Sequence, residues 1–255
     1  MWKPCLAALV SFVAAGSAAA FDEARYTEIL ARHTSAAADT AGTRVDYTAL
    51  RSAPDWRHVV ASLAASDPTH LVSREAKLAF WINAYNVLAI DVVLAGYPLE
   101  SIRDRGGWLT PVWRIDAGRV GGRTLSLHEI EHEILRPMGD PRIHAAIVCA
   151  STSCPSLLRE AFRAPAVDAQ LDAAMRRFLA DSRKGLAVDR KAGRVWLSRI
   201  FDWFAEDFGG AGAVLASLTP FAPESERSWL EQHGPSARVD FFDYDWGLND
   251  SRRAP

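Results

Sequence analysis

The stretch LAFWINAYNVLAIDVVL (Leu78 to Leu94) constrains this chain more than any other. Read as a helix it is apolar on nearly every side, so it has no face to give to water and must be buried all round. A membrane is one place to bury such a helix, but Asn83, Asn86 and Asp91 interrupt it and argue against a membrane span. Ser73 is placed to cap its start, and Gly96 with Pro98 just beyond marks its stop, which predicts a helix to about residue 95. Asn83 and Asn86 sit three apart on one side of it. Each buried amide must find partners or cost about 1–3 kcal/mol. Two readings are open for them: a core hydrogen-bond network that fixes the helix, or substrate-binding amides that line a pocket and hold a developing oxyanion.

Around this helix the pattern is mixed. Phe21 to about Ala65 reads as amphipathic helix, with a short Val45-Asp46-Tyr47 segment inside it. Val112 to Ile115 reads as a strand before a Gly-rich turn at Gly118 to Gly122, and Leu127 to Arg136 as a helix closed by Pro137. Further on come a helix (Ala166 to Ala180), a polar loop (Asp181 to Arg194), a strand (Val195 to Leu197), a helix (Ile200 to Phe208) and a closing strand (Val239 to Trp246). Helices outnumber strands and the strands are scattered among them. The expected fold is α+β, or mixed α/β, a single domain with the long helix packed on a small sheet.

The first twenty residues read as a signal peptide. Lys3 is a short basic region, Cys5 to Ala15 an apolar core too short to span a bilayer, and Ala18-Ala19-Ala20 a small-residue cleavage site. This predicts a periplasmic or secreted protein without a lipid anchor, in oxidising conditions. The expected division is therefore signal peptide 1–20, N-terminal helical segment 21–72 and core domain 73–255. The whole chain has 29 basic against 31 acidic residues, a net charge of −2, and no basic cluster or base-stacking motif. No nucleic-acid partner is expected. A small-molecule or peptide ligand is, and no cofactor.

Ile143 to Phe162, IHAAIVCASTSCPSLLREAF, carries the chemistry. The apolar run to Ala150 reads as a buried strand, Ser151-Thr152-Ser153 as a turn, and Pro155 as the first residue of a helix. That would place Cys154 at the N-cap, where free N–H groups and the helix dipole favour a thiolate. Cys149 lies five residues earlier. The pair is either a disulfide or a nucleophile with a resolving partner.

His128-Glu129-Ile130-Glu131-His132 matches the zinc-peptidase pattern H-E-x-x-H. Ser126 and Glu129 form a capping box there, and no third histidine follows at the extended spacing, so His128 and His132 are a weak metal pair. On an α-helical wheel Glu131 falls among Leu127, Ile130, Ile134 and Leu135. It is read as the partner of Arg136 or Arg142 in a core salt bridge, or as the group that orients a catalytic imidazole. His144, on an extended strand, would start roughly 20 Å from the Cys154 turn and make a poor base. His132 is the better one by elimination. Asp202, Glu206 and Asp207 read as an ordinary solvated edge.

Four motifs in order, KLAFWINAYN (Lys77–Asn86), LxxIEHxILR (Leu127–Arg136), PRIHAAIVCASTSCP (Pro141–Pro155) and IFDWFxxDF (Ile200–Phe208), resemble the family called domain of unknown function 547. The likeness spans about Val45 to Phe208. It implies a shared fold and a set of positions: Asn83, Asn86, Glu131, His132, Arg136, Arg142, His144, Cys149, Ser153 and Cys154. It implies no established activity, and His128 is not among those positions.

Three functions fit these residues. One is a thiol-dependent hydrolase or acyltransferase, with Cys154 as nucleophile, His132 as base, Glu131 as its orienter, and Asn83, Asn86, Arg142 and Ser153 holding substrate. The second is a non-enzymatic binding or envelope-associated protein with a Cys149–Cys154 disulfide. The third is a zinc hydrolase using His128 and His132.

Overall fold

The computed structural model describes residues 20–253. The signal-peptide reading, apart from Ala20, lies outside the described residues. The chain folds as α+β with small sheets around one long buried helix.

The N-terminal region is not one amphipathic helix. It forms α1 (Glu23–His33), a hairpin of β1 (Thr34–Ala36) and β2 (Thr43–Val45), α2 (Tyr47–Ser52) and α3 (Pro54–Ala65). Asp22 and Asp46 explain the breaks, because each carboxylate accepts a backbone N–H three residues on and starts a new helix. Tyr26, Ile29, Tyr47, Leu50, Val59 and Leu63 from these elements are buried in the same core as the central helix.

That central helix is α4 (Arg74–Gly96), with Ser73 accepting the Ala76 N–H as its cap. Every residue from Leu78 to Leu94 except Asp91 is buried. Among the described residues it is the one helix long and apolar enough to cross a bilayer, and 89% of its apolar window is buried in protein. It is a core helix. Its two asparagines clamp the backbone of a distant segment. Asn83 donates to the Phe162 carbonyl at 2.8 Å and accepts the Phe162 N–H at 2.9 Å. Asn86 donates to the Ala146 carbonyl at 3.0 Å and accepts the Val148 N–H at 2.8 Å.

This clamping corrects the reading of residues 143–162. Ile143 to Ala150 is not a strand: Pro141–Ala145 is a 3₁₀ turn, and the residues after it join no sheet. No helix follows Pro155 either. Side chains from elsewhere satisfy this backbone instead. Lys184 Nζ donates to the Cys154 carbonyl at 2.7 Å, Thr27 Oγ1 accepts the Ala161 N–H at 3.0 Å, and Asn83 holds Phe162. A run whose polar groups are met in this way needs neither ladder nor helix.

Val112–Arg114 is likewise a 3₁₀ turn rather than a strand, closed by the Arg114 N–H on the Pro111 carbonyl at 2.9 Å. The Gly-rich turn is the tip of a hairpin, β3 (Gly118–Val120) and β4 (Arg123–Leu125). Gly121 and Gly122, at φ 58° and 76°, both adopt the left-handed backbone that such a two-residue turn requires. Glu129–Leu135 is a π-helix, in which the Arg136 N–H reaches the Glu131 carbonyl.

The C-terminal part builds a second apolar cluster. It contains α5 (Val167–Ala180), β5 (Leu186–Asp189), β6 (Arg194–Leu197), α6 (Arg199–Trp203), α7 (Val214–Leu218), α8 (Glu224–His233) and β7 (Arg238–Phe241). β5 and β6 pair antiparallel, while β7 lies parallel to β6 with Val195 opposite Val239. The helix read over Ile200 to Phe208 divides into α6 and a 3₁₀ turn at Ala205–Phe208. Beyond β7 the tail returns to the cysteine loop. The Thr152 N–H donates to the Gly247 carbonyl at 2.7 Å, and the Asn249 N–H to the Ala150 carbonyl at 2.9 Å.

Candidate functional site

A cavity of about 380 Å³ opens along the seam between the two apolar clusters. That is within the size range of small-ligand sites. Its walls come from five places: Tyr85 on α4, His128, Glu131 and His132 on or beside the π-helix, Trp113 with the cation Arg114, the segment from His144 to Cys154, and Ile200, Trp203, Phe204, Tyr244 and Trp246 from the C-terminal part. One end is ionisable and the other is sulfur.

At the ionisable end Asp207 is the hub. It takes Arg136 through two hydrogen bonds, 2.6 Å from Nε and 2.7 Å from Nη2. It also lies 2.7 Å from His144 Nε2. Desolvation works against its charge, but the bonds from His144 and Arg136 prevail and hold its carboxyl well below the usual range. An ionised Asp207 fixes the His144 tautomer, with Nε2–H donating and Nδ1 bare. Burial holds the His144 imidazole below its ordinary value, Asp207 opposing. The bare Nδ1 faces Glu131 Oε1 at 3.8 Å.

Glu131 has no arginine on it. Arg136 is taken by Asp207, and Arg142 by Asp140, Asp168 and Asp172. The remaining donor is the Tyr85 hydroxyl at 3.4 Å. Burial therefore pushes the Glu131 carboxyl up to about 7 despite Arg136 nearby. His132 goes the other way, to about 4, through desolvation and then the charges of His128 and Arg136. Arg136 Nη1 lies 2.8 Å from His132 Nδ1, so Nδ1 accepts and the neutral ring carries its proton on Nε2. His132 meets a ligand as a donor.

At the sulfur end the Cys149 and Cys154 sulfurs stand at disulfide distance. Cys154 is not a helix N-cap, since no helix follows it. Its Sγ nevertheless accepts the Cys149 N–H at 3.0 Å and the Tyr244 hydroxyl at 3.3 Å. Ser151 in turn donates to Tyr244 at 2.9 Å. Between the cysteines, Ala150 stands at φ 63°, a left-handed backbone costing an L-residue about 1–2 kcal/mol. The tail's bond to its carbonyl helps hold it there. Lys184 closes the loop from behind, donating to the carbonyls of Ala41 and Cys154 at 3.1 and 2.7 Å, and its burial lowers the ammonium to about 8.

The structure thus brings Glu131, His132, Cys149 and Cys154 into one cavity and adds His144, which sequence reasoning placed out of reach. His144 reaches the cavity because it sits on a 3₁₀ turn, not an extended strand. Asn83, Asn86, Arg142 and Ser153 do not line the cavity. Both polar atoms of each asparagine go to backbone, Arg142 binds three aspartates, and Ser153 Oγ accepts the Asp245 N–H at 2.9 Å. His128 and His132 lie with ring centroids 4.3 Å apart, and among the described residues no group of three or more ligating side chains could hold a metal.

Sequence reasoning missed Asp207, Tyr244, Trp203 and Trp246. Asp207 is no solvated edge: the break between α6 and the following turn swings it onto Arg136 and His144. The signal for Tyr244 and Trp246 was the cluster of aromatics alternating with acids from Phe241 to Trp246.

Residues 69–179 match the model of a family described as Protein of unknown function, DUF547. Over this segment the chain is similar to that family. No curated protein and no solved structure matches the chain. The matched segment supplies α4, the π-helix, the cysteine loop and most of α5. Asp207, the outer aromatic wall and the tail's Tyr244 come from chain beyond it, so the cavity is larger than the matched segment.

Proposed function

We propose that this protein is an exported, non-enzymatic binding protein whose cavity takes a small molecule or peptide side chain with an aromatic or apolar body and a hydrogen-bonding end. The observation that carries the reading is the composition of the cavity. Trp203, Tyr244 and Trp246 pack against one another, with Trp203 and Trp246 centroids 5.6 Å apart and nearly parallel and Tyr244 tilted against both. The same cavity is lined by Glu131, largely in its neutral acid form below about pH 7, and by His132 as a neutral donor. Both present hydrogen bonds without a fixed charge. The Cys149–Cys154 bond suits an oxidising compartment, as does the signal-like stretch over 1–20.

Intact-mass measurement of exported material tests the localisation: loss of the first twenty or so residues is expected, and a retained N-terminus contradicts it. Binding is tested by titrating the oxidised protein with N-acetylphenylalanine amide while following tryptophan emission. Saturable change that disappears in Trp246→Ala is expected. No saturable change through the low millimolar range contradicts the reading.

A second reading, a thiol-dependent hydrolase or acyltransferase, is favoured by one observation: Cys154 Sγ has two donors on it and shares its cavity with a His144 oriented by Asp207. It requires the disulfide to open first. Ester hydrolysis that appears only after mild reduction and is lost in Cys154→Ser would select it.

A further inference from the structure

The two sulfurs are not equivalent, and the difference has a direction. Cys154 is buried, 3% exposed, whereas Cys149 is half-buried at the cavity wall. The backbone donor is on Cys154 alone. The Cys149 N–H points at the Cys154 Sγ at 3.0 Å, whereas the Tyr244 hydroxyl sits between the sulfurs, 3.3 Å from Cys154 and 3.4 Å from Cys149, and Ser151 Oγ lies 3.3 Å from Cys149 Sγ. Donors aimed at a sulfur stabilise negative charge there, which is what a sulfur acquires when an S–S bond breaks toward it. A bond serving as a staple alone has no use for a backbone donor aimed at one of its sulfurs. It also closes a loop with a sequence separation of 5, where cross-linking stabilises least.

We propose that Cys149–Cys154 is an exchangeable disulfide that accepts two electrons from a small-molecule or peptide dithiol, with Cys149 as the attacked sulfur and Cys154 as the leaving one. One thiolate of the dithiol attacks Cys149 Sγ in the cavity. The S–S bond breaks, a mixed disulfide forms on Cys149, and the electron pair leaves on Cys154, held by the Cys149 N–H and the Tyr244 hydroxyl. The second thiolate of the dithiol then attacks its own sulfur in the mixed disulfide and frees Cys149. The dithiol has lost two electrons and two protons and become a disulfide. Cys149 and Cys154 have gained them. Tyr244 is a positioning residue, for it acts through the charge on Cys154, and Ser151 in turn orients the Tyr244 hydroxyl. The inference does not depend on the ligand proposed above, because that ligand is tested on oxidised protein.

The experiment equilibrates the folded protein with reduced and oxidised dithiothreitol, blocks free thiols with iodoacetamide and locates the adducts by mass, with circular dichroism recording the fold. The pair should open reversibly with the fold kept, and Cys154 should alkylate at lower pH than Cys149. Tyr244→Phe should raise the Cys154 midpoint by about one unit and make the bond about tenfold harder to reduce, the effect of one hydrogen bond to a charged atom. If that variant does not fold, Ser151→Ala should move both quantities in the same direction by less. Opening only together with unfolding, a lower midpoint on Cys149, or a Cys154 midpoint unmoved in a folded variant would each overturn the proposal.

Discussion

The two ends of the cavity are built by different physics. At the ionisable end, position follows from charge: Asp207 is held by two cationic or donor groups, and the orientation of His144 and His132 follows from that pairing. At the sulfur end, position follows from backbone. The tail, Lys184 and the α4 asparagines hold the cysteine loop through carbonyls and N–H groups, and no ion pair takes part. The first end should therefore answer to pH and to single charge changes, and the second to redox state and to changes of one hydrogen bond.

The largest effect is expected from Asp207→Ala. It strands Arg136 and His144 without their partner and should destabilise the fold by about 3 kcal/mol in urea unfolding, the low end for a buried pair because Arg136 and Asp207 keep some contact with water. Asp207 is held below the usual carboxylate value, so its contribution is complete above about pH 4 and fades as the pH falls further. The variant should flatten the acid limb of the stability curve.

Next comes Glu131→Gln, with the opposite sign. Because the folded carboxyl titrates near 7, the folded state holds a proton that the unfolded chain gives up near 4.3, and stability falls as pH rises between them. Removing that group should raise stability above pH 7 by on the order of 2 kcal/mol. No gain at pH 8 would mean that the ionised Glu131 is well solvated. Replacing both cysteines by serine should cost about 2 kcal/mol, unchanged between pH 5 and 7, since Lys184, which holds the loop from behind, loses its charge only near 8. Tyr244→Phe is the smallest, about 1 kcal/mol in the oxidised protein. A pH-dependent loss in either sulfur-end variant would break the distinction between the two ends.

What was legible in the sequence follows the same division of causes. α4 could be read because its apolar residues cover every side and Ser73 caps it, both local properties. Glu131 could be placed among buried neighbours because the π-helix keeps Ile130 and Leu135 inward as an α-helix would. Residues 143–162 could not be read, because what satisfies their backbone lies far away in the chain: Asn83 and Asn86 before them, Lys184 and Asn249 after. An apolar run with a proline after it looks like strand and helix when those partners are unknown. Asp207 was hidden for a related reason. Its neighbours make it the polar edge of a helix, and only the break after Trp203 turns it inward.

The account rests on a closed sulfur end in the native cavity, and peptide mapping under alkylating, non-reducing conditions tests that directly. Protein exported through its own N-terminal segment, blocked with iodoacetamide before unfolding and then digested, should yield no alkylated cysteine and one cross-linked product joining Cys149 to Cys154. Alkylation of both cysteines in the folded protein, with no cross-linked product, would contradict it.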